Sequence, residues 1–289
     1  ALSDAPILLT GETGTGKEIL ARSIHFWGKR HDKAFVAVDC GLFTKELINS
    51  ELFGYEKGAF TGANARRIGK LEAANGGSVF FDEIANLDLE IQSNLLRVLQ
   101  EYEFQRIGGN ANIKVDLRVI TATNTDLFAA VEKGAFRRDL LNRLNVCEVY
   151  VPPLRERKED IPELVQFFIE RHRSESLTRN ISLEKGLVEV LTGFDWPGNV
   201  RQLENVVRRL IISSEDGVLT KPDLPIALKG ETPFDVFDGA DYHSLINNFK
   251  RQLIRKVLAE SGNKQTEAAK KLGIQQSYLS KIMKNLNLR

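Results

Sequence analysis

The chain has 289 residues, with 40 Lys and Arg against 39 Asp and Glu, a formal charge of +1 at pH 7 and an apolar fraction of 42%. That length holds one large domain or two to three small ones around a real core, and the balance excludes disordered and fibrous classes. No apolar run approaches the ~18 residues of a membrane helix and no signal peptide is visible, so no membrane partner is expected. Cys40 and Cys147 each lie in or beside an apolar run. They read as reduced core thiols, hence a cytoplasmic protein. His25, His31, His172 and His243 have no metal-ligand spacing and read as structural or surface residues.

The first predicted strand, Pro6–Leu9, sits almost at the start of the chain, an arrangement that reads as an upstream segment cut away. Gly11-Glu12-Thr13-Gly14-Thr15-Gly16-Lys17-Glu18 follows, then a helical face of Ile19, Leu20, Ala21 and Ile24. Strand, glycine loop and helix in this order make a phosphate site. The glycines let backbone N–H groups turn inward, and the helix start adds its positive dipole end. Lys17 would reach the β- and γ-phosphates as a point charge. Glu18 stands where a Ser or Thr hydroxyl would hold magnesium, so the metal needs another protein ligand.

Ala34–Val38 reads as a second strand ending at Asp39, followed by a helix over Lys45–Leu52 and then the segment Gly54–Ala63. Ser78–Glu83 is a third strand closed by two acids. Leu87–Tyr102 is helical, with Ile91, Leu95, Leu96 and Leu99 on one face. Val115–Ala122 is a fourth strand leading to Asn124, a helix starts at Leu127, and Val146–Val151 is a fifth strand. Alternating strands and helices imply a parallel sheet covered on both faces, with the site at the carboxyl ends of its strands. Gly11, Asp39, Asp82 and Asn124 all belong there. Asp82 would hold Mg2+, Glu83 would orient or deprotonate an attacking water, and Asn124 would position that water or touch the γ-phosphate.

Phe136–Leu144 carries Arg137, Arg138 and Arg143 on a short helix. An arginine reaching across a subunit boundary is worth ~10³–10⁵ in phosphoryl-transfer rate, although spacing alone favours a solvated face. Pro152-Pro153 ends the sheet region. Helices over 160–173, 183–191 and 199–212 then form a small helical domain, with Arg201 in the first turn of the last one. Pro222–Thr232 is a linker. From Asp241 onward ten basic residues face three acidic ones, a charge of +7 that leaves −6 on the remainder. A basic module on an acidic body points to nucleic acid. In it a helix over 244–260 precedes a short helix over 266–272, a turn at Gly273 and a helix over 275–286, the order of a helix-turn-helix. Gln275, Gln276, Tyr278, Ser280, Lys281 and Lys284 face outward, where glutamines can read adenine edges and lysines hold phosphates. A helical dimerisation unit with a solvated lysine face is the alternative.

The glycine loop, Phe80-Phe81-Asp82-Glu83, Thr121-Ala122-Thr123-Asn124, Phe136-Arg137-Arg138-Asp139-Leu140 and Trp196-Pro197-Gly198-Asn199-Val200-Arg201 together resemble an AAA+ ATPase. Gly58-Ala59-Phe60-Thr61-Gly62-Ala63 narrows the likeness to bacterial enhancer-binding proteins, the NtrC-like activators of sigma-54 RNA polymerase. The resemblance covers Ala1 to about Pro225, and the C-terminal module is similar to that family's Fis-like domain.

It implies an α/β AAA+ P-loop ATPase with a parallel sheet over 1–152, a helical lid over 153–221, a linker over 222–240 and an all-α helix-turn-helix domain over 241–289. It also implies ATP with Mg2+ at Gly11–Glu18, Asp82 and Arg201. Glu83 would activate water and Asn124 would read the γ-phosphate. Arg137 and Arg143 would be fingers reaching the neighbouring subunit of a hexameric or heptameric ring. Gly58–Ala63, tipped by Phe60 and Thr61, would engage sigma-54, with Arg106-Ile107-Gly108-Gly109 as a second loop supporting it. Asp39 departs from the Asn that many members use to switch the catalytic glutamate. The implied function is a bacterial, cytoplasmic activator of two-component type that binds upstream double-stranded enhancer DNA. An AAA+ motor acting on DNA itself, or a repressor whose ATPase part only gates assembly, are the two rival readings. The intact sigma-54 loop disfavours the first, and intact Asp82, Glu83 and arginines disfavour the second.

Overall fold

The computed structural model describes residues 3–42, 44–175, 180–214, 216–224 and, further on, 254, 257, 258, 261, 264–271, 273, 274, 276, 279, 280 and 283. They fall into two compact units, one of Ala1–Glu175 with Thr192–Arg209 and one of Ser176–Leu191 with Leu210–Arg289.

In the first unit the elements run β1 (Ile7–Thr10), α1 (Lys17–Phe26), β2 (Phe35–Asp39), α2 (Lys45–Phe53), β3 (Gly54–Tyr55), β4 (Arg67–Ile68), α3 (Lys70–Ala73) and β5 (Ser78–Asp82). They continue with α4 (Leu89–Glu101), β6 (Glu103–Gln105), β7 (Asn112–Lys114), β8 (Arg118–Thr123), α5 (Leu127–Glu132), α6 (Arg138–Leu144), β9 (Cys147–Tyr150) and α7 (Ile161–His172). After these come β10 (Ser182–Leu183), α8 (Leu187–Gly193), α9 (Asn199–Ser213), β11 (Val218–Leu219) and α10 (Gln265–Lys271).

Five strands form one parallel sheet in the order β2-β5-β8-β1-β9. Successive side chains leave a strand on opposite faces, so each apolar run supplies two cores. Leu8, Val38, Val79, Phe81 and Val119 point to the face covered by α2, α4 and α6, while Ile7, Leu9, Phe80, Ile120 and Ala122 pack with Ala21 of α1. Burial on both faces explains why these strands read as continuous apolar runs rather than alternating ones. The register sets Asp39 opposite Asp82 and Thr10 opposite Thr123, which brings the residues after four strands to one edge.

Three expectations are corrected. The fourth strand starts at Arg118 rather than Val115 because the preceding backbone is engaged elsewhere: Val115 N–H donates to Tyr102 O at 2.8 Å and Asp116 N–H to Asn75 Oδ1 at 2.8 Å. The helix expected from Leu183 starts at Leu187, since Ser182 and Leu183 pair in parallel with Val218 and Leu219, and Gly186 turns through φ +81°. Cys147, expected in the core, is exposed, because β9 is the edge strand of the sheet; Cys40 is buried, which pushes its thiol pKa up.

In the second unit a small core gathers Ile254, Ala268, Ala269, Leu279 and Met283. α10 stands at the place of the expected short helix, and Leu279 and Met283 are buried as their spacing predicts. Ile282 and Leu286 of the same predicted face, and the greater part of the linker, lie outside the described residues. Among the described residues no helix is long and apolar enough to cross a membrane.

Candidate functional site

The glycine loop leaves β1 through Gly11 at φ +150° and enters α1 through Gly16 at φ +99°. Such angles strain any residue with a Cβ. A Cβ on Gly16 would meet nothing within 4 Å, so that glycine faces open space and leaves room for a bulky anion. Thr15 is buried, with its hydroxyl donating to Glu12 O at 2.8 Å. Lys17 opens α1 only 6% exposed, its ammonium donating to Gly11 O at 2.8 Å and Glu12 O at 3.2 Å. Burial lowers its pKa, and the charges of Glu83 and Asp82 oppose that shift. A buried ammonium so close to the loop mouth is a strong anion receptor.

The acids sit one strand away. Asp82 ends β5, and Glu83 follows in a left-handed conformation at φ 52° with its N–H donating to Asp82 Oδ1 at 3.1 Å. Burial, and next the charge of Glu83, hold the Asp82 carboxyl above its usual range. Such a carboxylate is relieved by a cation. Glu83 Oε1 lies 3.8 Å from the Lys17 ammonium, and its Oε2 accepts from Asn124 N–H at 3.2 Å. The Asn124 amide donates to Thr13 Oγ1 at 2.8 Å, which ties the end of β8 to the glycine loop. Asp39 ends β2, with its carboxylate accepting from Gly41 N–H at 2.8 Å. A cleft of about 430 Å³ joins Thr13, Gly16, Lys17, Asp39, Asp82 and Glu83, and Arg201 borders it from α9.

Two loop carboxylates are engaged by arginines: Glu18 at the border of the cleft, and Glu12 outside it. Glu18 is exposed and accepts from Arg22 at 2.7 Å. Glu12 accepts two bonds from Arg155, at 2.6 and 2.8 Å, and one from Asn199 at 3.1 Å. Arg155 first, and then Asn199, lower its pKa to about 2. No group of three or more metal-ligating side chains occurs among the described residues. Asp82, a partly buried carboxylate at the mouth of the loop, is the kind of ligand that magnesium takes in phosphate chemistry, where one or two carboxylates are joined by substrate oxygens and water.

Arg137 and Arg143 lie apart from the cleft. Arg137 stands at the N-terminal boundary of α6 without a side-chain capping bond and pairs with Asp139 at 2.8 Å, while Arg143 donates to Leu99 O at 2.8 Å at the end of α4. Gly58–Ala63 is the exposed tip of the β3–β4 hairpin, closed by Gly58 N–H on Ala63 O at 2.9 Å. Thr61 is exposed; Phe60 is 47% exposed and, rather than standing free, meets Tyr55 edge-on at 4.9 Å. Gly62 turns through φ +104° and Ala63 tucks back into the protein. Beneath the tip, a Cβ on Gly108 would come within 2.7 Å of Ala59, and buried Arg106 pairs with Glu56 at 2.6 Å and Glu72 at 2.7 Å. The expected second loop is therefore packed against the first. Of the predicted DNA-facing set, Gln276 and Ser280 are exposed; Gln275, Tyr278, Lys281 and Lys284 lie outside the described residues.

Comparison with known proteins agrees with this geometry. The sigma-54 interaction domain matches residues 1–150, and an AAA+ ATPase lid domain matches residues 155–236. The regulatory protein AtoC of Escherichia coli K12 is 41% identical over 96% of this chain and 62% of its own length. The Nif-specific regulatory protein of Herbaspirillum seropedicae is 49% identical over 76% of this chain and 41% of its own. NtrX of Brucella abortus, solved in complex with ATP, superposes with a TM-score of 0.75 at 33% identity, covering 98% of this chain and 64% of NtrX. The chain belongs to the sigma-54 interaction domain family.

As a member of that family it spans 62% of AtoC and 41% of the Nif-specific regulator. The roles of two buried polar residues, Gln92 within the sigma-54 interaction domain and Asn199 within the lid match, were not read from the sequence. Gln92 is fully buried on the apolar face of α4, donating to Leu87 O at 2.7 Å and Ala135 O at 3.1 Å and accepting from Arg137 N–H at 2.8 Å. It thus fixes the backbone of a predicted finger. Asn199 is also fully buried, left-handed at φ 53°, and donates to Thr13 O at 3.1 Å. A polar residue interrupting an apolar stripe was the available signal for Gln92; Asn199 stood in the Trp196–Arg201 motif, which singled it out without giving it a role.

Proposed function

We propose that this chain hydrolyses ATP within a homo-oligomeric ring and uses the turnover to remodel the closed complex of sigma-54 RNA polymerase. The observation that carries the reading is the union, in one unit, of a cleft holding Lys17, Asp82 and Glu83 with an exposed, glycine-flanked Phe60–Thr61 tip outside it. An aromatic on a projecting turn is a natural protein-contact anchor.

In this reading the backbone of Gly11–Lys17 and the Lys17 ammonium bind the phosphates, and Arg201 approaches them from α9. Asp82 is the protein ligand for Mg2+, which when bound neutralises developing phosphate charge. Glu83 orients the attacking water and takes its proton, a role that its bond from Asn124 N–H would tune. Asn124, bonded to Thr13, registers the γ-phosphate. Because Arg137 and Arg143 lie outside their own cleft, they serve the adjacent subunit's site, a head-to-tail contact that closes into a ring. The chain then divides into an ATPase part over 1–152, a lid over 153–221, a linker over 222–240 and a helix-turn-helix over 241–289. The last part holds enhancer DNA through Gln275, Gln276, Tyr278, Ser280, Lys281 and Lys284, as its +7 charge favours. The protein works in the bacterial cytoplasm.

The test is co-elution with purified sigma-54 in ADP and aluminium fluoride, with Thr61→Ala alongside. A stable complex that Thr61→Ala abolishes is expected. No complex from a protein that turns over ATP would overturn the activator reading in favour of a motor acting on DNA.

A further inference from the structure

The glycine loop is gripped from a second side. Each residue from Glu12 to Thr15 carries a contact from the segments that follow the sheet, and all of these residues belong to the first compact unit. The Glu12 carboxylate takes both arms of Arg155 and the Asn199 amide. Thr13 O accepts from the same Asn199 amide at 3.1 Å. Gly14 O accepts from Arg201 N–H at 3.3 Å, and Thr15 O from Arg157 at 2.8 Å. Asn199 completes the set by accepting from Leu154 N–H at 2.8 Å.

The glycines divide the labour. A Cβ on Gly14 would stand 2.5 Å from Gly198 O and 3.2 Å from Arg201 Cβ, whereas one on Gly16 would meet nothing within 4 Å. Gly16 is therefore small for the cleft, and Gly14 is small for the approach of α9. Glu12 contributes no side chain to the phosphate cleft; its carboxylate is spent on Arg155 and Asn199.

We infer that Glu12 and Asn199 are positioning residues: they lock the glycine loop to the start of α9, so that phosphates arriving on the loop are felt by the helix that presents Arg201. The inference rests on the nucleotide reading above. Coupling of this kind requires contacts that make the loop and the helix move as one body. The lock supplies them through charge-assisted bonds, which are stronger than neutral ones. Arg201 then acts from a site set by Asn199, two residues before it.

The chain carries its own reporter. It has two tryptophans, Trp27, which is 70% exposed, and Trp196, which is fully buried three residues before Asn199 and edge-on to Phe194 at 5.2 Å. In a Trp27→Phe background Trp196 emission is followed as ATPγS and Mg2+ are added, with nucleotide binding measured separately by calorimetry. Asn199→Asp keeps the shape, the left-handed backbone preference and the acceptor for Leu154 while turning the donor aimed at Glu12 into a repelling oxygen. Glu12→Gln, at an exposed carboxylate, removes the charge without burial cost. We expect both variants to bind ATPγS within about threefold of the parent, lose the Trp196 response and turn over ATP roughly tenfold more slowly. Bound nucleotide with a Trp196 signal that does not move in the parent, or moves as far in both variants, overturns the lock. Absence of binding in the parent itself would instead remove the nucleotide reading beneath it.

Discussion

At the residue scale the site is defined by charges held where water would otherwise keep them apart. The Asp82 carboxyl is raised by burial and by the neighbouring Glu83 charge. Between its ordinary value of 3.8 and that raised value, the folded chain binds more protons than the unfolded one, so stability falls as pH rises through the window and the cost persists above it. Asp82→Asn removes this burden while its Oδ1 still accepts from Glu83 N–H. The variant should therefore melt at a higher temperature than the parent near neutral pH, with the gap closing in acid, while ATP turnover is lost. Thermal scans across pH with the nucleotide-free protein test this; equal midpoints at pH 7 would mean that Asp82 bears no electrostatic strain. Trading stability for function is common at active sites. The acids were legible in the sequence as the end of an apolar strand. Their mutual strain was not, because it depends on burial.

At the element scale the helix that supports the predicted finger arginines, α4, is fixed by interior contacts. α4 begins on Asp88, whose carboxylate accepts from Glu90 and Ile91 N–H at 3.0 Å each. Asp88→Ala should cost about 1 kcal/mol, read as a lower midpoint in urea unfolding. Gln92 on the same helix is a buried hub with all three of its bonds directed at backbone groups. Replacing it with Leu leaves Leu87 O, Ala135 O and Arg137 N–H without that partner, so Gln92→Leu should lose ~2–4 kcal/mol despite being more apolar. Stability gained by Gln92→Leu would show that those groups find other partners. Periodicity found the apolar face of α4 and showed Gln92 only as a polar interruption of it; it could not show that residue's partners, which come from the helix entrance and from residues 135 and 137.

At the scale of the whole molecule the proposed function has the cleft completed by an arginine from another copy. Arg137 and Arg143 are bound to Asp139 and Leu99 O within their own chain, away from Lys17. Lys17→Ala and Arg143→Ala should each abolish turnover, the first by loss of phosphate binding and the second with nucleotide binding intact. Mixing the two inactive proteins should restore activity, because an intact cleft then meets an intact arginine across some subunit boundaries. A mixture as inactive as its components would place Arg143 in its own site or outside catalysis. In the second compact unit, the prediction at residue scale is a phosphate contact: Lys281→Ala should weaken binding to all DNA sequences and reduce the salt slope by roughly one.

What the sequence by itself determined is the order of the five sheet strands and the longer helices, the glycine loop between β1 and α1, the acids at the end of β5 and the exposed tip at Phe60. All of these are local: a buried strand, a glycine turn and a helix face are written in neighbouring residues. Tertiary structure alone decided that the residues after β1, β2, β5 and β8 share one edge, that Glu83 bonds to Asn124 and that Glu12 serves Arg155 and Asn199 instead of phosphate. It also set the start of β8, where Val115 and Asp116 are drawn to Tyr102 and Asn75, and exposed Cys147 on the sheet edge. Partners distant in sequence and close in space leave no period or spacing to read, so burial and pairing had to be seen in three dimensions.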